Sequence, residues 1–170
     1  KRLLLQGFII TDRADRAEAD VMMISPQGED ATTVCVREHL DPARTVAVDF
    51  TGLERNFLTL MAAPGGGAVA EKTAEYLRAL GYSVVVIKDS PGFVAPRVLA
   101  MIANLGCEVA QIGVADAPED IDVAMRLAQN YPRGPLEWAE YLGPQQVLDT
   151  LQRLQEVTGS DRYRPSLWLR

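Results

Sequence analysis

Histidine occurs once in this 170-residue chain, as His39, and cysteine twice, as Cys35 and Cys107. With no C-x-x-C pair and a single imidazole, metal cages and disulfide frameworks both lack their ligands. The two thiols therefore read as small buried side chains in a reducing compartment. Cations are also in deficit, with 17 Lys plus Arg against 23 Asp plus Glu and a net charge of −6. Such a chain is a poor counterion for a phosphate backbone, which argues against nucleic-acid partners. Long apolar runs are missing as well. Apolar runs such as residues 21–24 and 84–87 fall far short of the roughly 20 residues of a membrane-spanning helix. The chain opens on Lys1 and the strand-like Leu3, Leu4 and Leu5 rather than on a signal-peptide pattern, and reads as a piece of a longer, cytoplasmic protein.

What is present is ordinary globular composition, 48% hydrophobic against 24% charged, which leaves out disordered and collagen-like classes. The first half alternates short apolar runs with helical stretches, the pattern of an open, mostly parallel α/β sheet. Strands are expected at residues 2–5, 20–24, 45–50, 57–61 and 83–87, and helices at 30–38 and 68–80, the second stopped by Gly81. The run Val84, Val85, Val86 and Ile87 suits a strand covered on both faces.

Beyond Asp89, Ser90, Pro91 and Gly92 the pattern becomes helix only. Phe93, Arg97, Val98, Met101, Ile102, Leu105 and Val109 recur at three- and four-residue spacing. A second helix starts near Asp116, with Pro118 in its first turn and acids at its positive end. A third spans about residues 145–157, with Leu148, Leu151 and Leu154 on one face and Gly159 as its stop. Between the last two, Asn130, Tyr131, Pro132, Arg133, Gly134 and Pro135 read as a rigid turn. The expected organisation is thus an α/β domain over 1–90 and an all-helical domain over 91–170.

Few residues invite chemistry. Dinucleotide binding needs G-x-G-x-x-G directly after the first strand, but residues 6–12 hold only Gly7. Gly65, Gly66 and Gly67 form the only glycine-rich run, without the Lys and hydroxyl of a phosphate loop, and read as a plain turn at the start of a helix. His39 lies at a helix end, where capping suffices to explain it. No G-x-S-x-G elbow occurs. Glu119, Asp120 and Asp122 read as a solvated first turn, and Cys107 as core packing.

From residue 83 onward the chain resembles the 3-hydroxyacyl-CoA dehydrogenase family. The resemblance is carried by four ordered motifs: residues 84–94 with Arg97, Val98, Leu99 and Ala100; Pro118 to Asp122 with Ala124 and Met125; Asn130, Tyr131 and Pro132 with residues 134–138; and Tyr163, Arg164, Pro165 and Ser166. It implies a shortened, degenerate Rossmann-like parallel sheet followed by the helical domain that covers the acyl-CoA site and dimerises. Asn104, Tyr131 and Pro135 match positions whose role is taken as structural.

The resemblance also implies losses. Asp49 stands where the family carries its catalytic His, residues 57–61 replace the strand bearing the Glu that orients that His, and Pro96 stands where the family has a substrate-binding Asn. A carboxylate ordinarily ionises near pH 4, about two units below imidazole, so Asp49 is a poor substitute base. No catalytic, cofactor-binding or metal residue is therefore expected, and Phe93 and Arg97 remain as candidates for lining the substrate. The family is NAD-dependent, but no cofactor is expected on this segment alone. The chain looks like the second, degenerate unit of a tandem bacterial enzyme of β-oxidation or aromatic-acid degradation, homodimeric or docked on a preceding unit, with acyl-CoA bound in the full protein. Two other readings stand beside it. One is an active half with a rearranged site, for which His39 is the only imidazole. The other is a pure interaction module, with Leu167, Trp168 and Leu169 as a partner face.

Overall fold

A computed structural model describes residues 20–170. The candidate strand at 2–5 and the glycine-poor segment 6–12 lie outside the described residues. The chain forms two compact units, one holding residues 20–25 and Ala31–Asp89, the other Pro26–Asp30 and Ser90–Arg170.

The first unit contains β1 (Met22–Ile24), α1 (Ala31–Glu38), β2 (Thr45–Asp49), β3 (Phe57–Met61), α2 (Gly67–Ala79) and β4 (Ser83–Val86). The strands lie in the order β1-β2-β3-β4. The β1–β2 and β3–β4 pairs are parallel, as expected, each joined through a helix. The β2–β3 pair is the antiparallel exception in a sheet that is mostly parallel, as expected. Residues 50–56 are too few for the dozen or so that a parallel crossover requires. They instead make a tight reversal through a 3-10 turn at Leu53–Arg55, closed by Asn56 at φ 53.

Strand alternation sends Val46, Val48, Leu58, Leu60 and Val84 to one face, where they bury against Val69, Ala70, Ala74 and Leu77 of α2. Gly81, at φ 93, ends α2 as the sequence implied. The opposite face carries Thr45, Ala47 and Asp49 of β2 and Thr59 and Met61 of β3, all buried. On that side α1 lies along β2, with the Cys35 thiol hydrogen-bonded to Thr45. The β4 run is not covered on both faces, because β4 is an edge strand of this sheet and Val85 is 46% exposed.

The second unit is helical: α3 (Ala95–Gln111), α4 (Pro118–Gln129), α5 (Pro135–Leu142) and α6 (Pro144–Thr158), followed by 3-10 turns at Asp161–Tyr163 and Leu167–Leu169. Each helix has proline in its first two positions, where the missing N–H costs nothing. The expected turn connects α4 to α5 over residues 130–134, from the left-handed Asn130 that ends α4 to Gly134, the N-cap of α5, and Pro135 already belongs to a helix the sequence reading did not foresee. The core is built from Ala100, Ala103, Cys107, Ala139, Val147, Leu151, Leu154, Tyr163 and Leu169. Of the C-terminal apolar trio, only Leu169 joins it, and Leu167 and Trp168 stay exposed.

Helix α3 turns its small residues inward. Ala100, Ala103, Asn104, Gly106 and Cys107 are buried, whereas Val94, Val98, Leu105 and Ile112 are exposed. The reason is the close passage of α5: a Cβ on Gly106 would overlap the Pro135 ring. Burial pushes both thiols up, and for Cys35 the nearby carboxylates of Asp89 and Asp41 add to the rise while the Thr45 hydroxyl opposes it. Among the described residues no helix is long and apolar enough to cross a membrane.

Candidate functional site

The end of β2 carries the first position of interest. Asp49 is 6% exposed, and its Oδ1 accepts the Thr51 N–H at 2.8 Å, which turns the chain out of the strand. Opposite it in the antiparallel register stands Thr59. Residues of β3 on this face are Phe57, Thr59 and Met61, none of them a carboxylate. His39 lies just past the end of α1, exposed and at φ 53, its backbone N–H directed to the Val36 carbonyl at 3.4 Å. It closes a helix, an arrangement that gives the imidazole no acid–base partner in the hydrogen-bond pattern.

Gly65, Gly66 and Gly67 start α2. The Gly66 N–H donates to Ala63 O at 2.9 Å, and a Cβ on Gly66 would collide with Pro42 O and the Ala62 side chain. Glycine is needed there for close backbone approach.

The segment from Asp89 to Arg97 is spent on internal tethering. Asp89 caps α1: its Oδ1 accepts Ala31 N–H at 2.7 Å, and its Oδ2 accepts Thr32 N–H at 2.9 Å and the Thr32 hydroxyl at 2.5 Å. An anion at a helix N-terminus satisfies free donors and complements the dipole. Asp89 was not singled out from sequence, although an acid-free first turn in α1 leaves a vacancy for such a cap. Gly92 (φ 68) donates its N–H to Glu29 O at 3.1 Å, and Phe93 (φ 53) is 1% exposed. Arg97 folds back over the same turn, its Nε donating to Pro91 O at 2.9 Å and its Nη2 to the Ser90 hydroxyl at 2.5 Å and to Pro91 O. Pro96 occupies the first turn of α3 and offers no side-chain donor or acceptor.

Two polar residues of the helical unit do more than the sequence suggested. Asn104 clamps the C-terminal tail, its Nδ2 donating to Arg164 O at 3.1 Å and its Oδ1 accepting Ser166 N–H at 2.7 Å. Asp122 is a correction. It is 8% exposed rather than solvated, and its carboxylate accepts Leu136 N–H at 2.8 Å and Glu137 N–H at 3.2 Å, capping α5. Glu119 and Asp120 remain exposed in the first turn of α4, as expected. Glu137 completes the junction by accepting Gly134 N–H at 2.7 Å and pairing with Arg126 at 2.6 Å. Just before α5, Arg133 reaches over the Tyr141 and Trp138 rings.

The Ser166 hydroxyl is buried with no partner. A buried donor without an acceptor carries its desolvation cost uncompensated. Ser166→Ala is therefore expected to raise stability by about 1 kcal/mol, read as a higher urea midpoint. A lower midpoint would mean that the hydroxyl is bonded in solution.

Taken as chemistry, the first unit offers the buried Asp49 carboxylate opposite Thr59, and the second unit, described by itself, offers the Asp122 carboxylate spent on capping α5 and the tethered Arg97 guanidinium. Among the described residues no group of three or more His, Cys, Asp or Glu could hold a metal ion.

Comparison with known proteins fits this architecture. Residues 92–170 match the family model for the 3-hydroxyacyl-CoA dehydrogenase C-terminal domain. The chain is 40% identical over 151 residues to a 3-hydroxyadipyl-CoA dehydrogenase of Escherichia coli, covering 89% of this chain and 31% of that protein. It is 38% identical over 109 residues to a probable 3-hydroxybutyryl-CoA dehydrogenase of Bacillus subtilis, covering 62% and 38%. A solved 3-hydroxybutyryl-CoA dehydrogenase from Escherichia coli K12 superposes with a TM-score of 0.76 at 41% identity, covering 89% of this chain and 31% of the other. The Ralstonia eutropha (S)-3-hydroxybutyryl-CoA dehydrogenase does so with a TM-score of 0.77 at 25% identity, covering 88% and 53%. The chain spans about a third of the length of the curated relatives it matches. By sequence and by fold, this chain belongs to the 3-hydroxyacyl-CoA dehydrogenase family, with its helical unit corresponding to that family's C-terminal domain.

Proposed function

We propose that the chain is the scaffolding portion of a cytoplasmic, NAD-dependent enzyme that oxidises a 3-hydroxyacyl-CoA to the 3-oxoacyl-CoA in fatty-acid β-oxidation or aromatic-acid degradation, and that it lacks a hydride-transfer site of its own. The observation that carries this reading is the end of β2. Asp49 is buried there, turned onto the Thr51 N–H and faced by Thr59, with neither an imidazole nor an acid bonded to it among the described residues. Oxidation of a secondary alcohol needs a base poised near neutral pH to take the hydroxyl proton as hydride leaves. NAD, where bound, supplies the hydride acceptor, and the protein supplies position and proton handling.

The described residues do not fit that dinucleotide. The glycine run at 65–67 uses the Gly66 N–H internally and brings no lysine or hydroxyl. Nor do Pro96 and the tethered Arg97 offer the amide that the family resemblance places on the substrate. The buried Phe93 and this Arg97 shape the turn before α3, and any contact with acyl-CoA passes through that turn rather than through a reacting group.

The reading as a second unit of a longer enzyme has support in relative lengths. The 151 residues matched in the 3-hydroxyadipyl-CoA dehydrogenase are 31% of it, whereas 109 matched residues are 38% of the Bacillus protein. The former is therefore far longer and has room for a preceding unit. Within such an enzyme this portion contributes association. Its surface for that role is the outward face of α3, where Val94, Val98, Leu105 and Ile112 stand exposed on one side of the helix and its caps.

Two experiments test the reading. Mixed with NADH and acetoacetyl-CoA, the chain is expected to consume no NADH, and steady turnover would overturn the proposal. In sedimentation equilibrium the wild type is expected to dimerise, and the Val98→Glu, Leu105→Glu double variant to remain monomeric with unchanged tryptophan fluorescence. A wild-type monomer at high concentration would remove self-association from the account.

A further inference from the structure

We draw no further inference here: the strongest candidate, the outward apolar face of α3 at Val94, Val98, Leu105 and Ile112, carries nothing beyond the association already proposed, because nothing in the structure shows what covers it.

Discussion

Replacing Gly106 by valine is expected to destabilise the helical unit by about 3 kcal/mol, the upper end of what overpacking normally costs. A single Cβ at this position already overlaps the Pro135 ring, with Leu136 and the Pro135 backbone behind it. Proline and a helix backbone cannot yield as a flexible side chain would, so α3 and α5 must separate. That separation opens the layer formed by Ala103, Cys107 and Ala139, and interiors tolerate such gaps poorly. Both tryptophans of the chain, Trp138 and Trp168, lie in this unit. Urea titration followed by tryptophan fluorescence therefore reads the effect without interference from the sheet. Gly67→Ala in α2 of the sheet unit, read by far-UV circular dichroism because that unit holds no tryptophan among its described residues, serves as the contrast, since a Cβ there meets nothing within 4 Å and alanine is the better helix former. An unchanged midpoint for Gly106→Val would mean that α3 and α5 pass less closely than described.

Asp122→Ala is expected to cost about 3 kcal/mol, because the loss combines a helix cap with two buried donors left without an acceptor. The carboxylate holds the Leu136 and Glu137 N–H groups, and the Gly134 N–H keeps its own acceptor in Glu137. The start of α5 should therefore fray rather than unfold outright. Asp122→Asn retains one carbonyl oxygen and should lose about 1 kcal/mol, in the range of a single neutral hydrogen bond. Because Trp138 sits on α5 itself and packs edge-on against Tyr141, the fluorescence maximum should shift in the alanine variant before the unit melts. Equal stability of the wild type and the alanine variant would show the cap to be replaceable by water.

Much of this architecture could be read from the chain. Short apolar runs marked β2, β3 and β4, and Gly81 and Gly159 marked two helix ends, because each signal is local and has one physical cause. The ordered motifs from Val84 to Ser166 carry the family resemblance in the sequence alone. What escaped was decided by neighbours distant in sequence. The antiparallel β2–β3 pair was implied by a connection too short for a crossover, yet a parallel pattern elsewhere concealed it. Helix α5 was concealed by prolines that read as a turn, although Gly134 followed by Pro135 is a helix-start signal.

The facing of α3 is the most instructive difference. Large apolar residues at helical spacing read as a core stripe, but the close approach of Pro135 reserves the inner face for alanine and glycine and sends the valines outward. Asp122 likewise looked like one more acid in a first turn, and only its α5 partners, more than a dozen residues on, distinguish it from exposed Glu119 and Asp120. At the candidate site the substitutions at Asp49 and Pro96 were legible. The tethering of Arg97 to Ser90 and Pro91, and the capping of α1 by Asp89, depend on backbone geometry that spacing alone does not reveal.

The most direct test of the proposal that this chain lacks a hydride-transfer site of its own is a calorimetric titration of the chain with NADH, followed by acetoacetyl-CoA. The account predicts no heat beyond dilution in the first titration. Saturable NADH binding at micromolar concentration would contradict it.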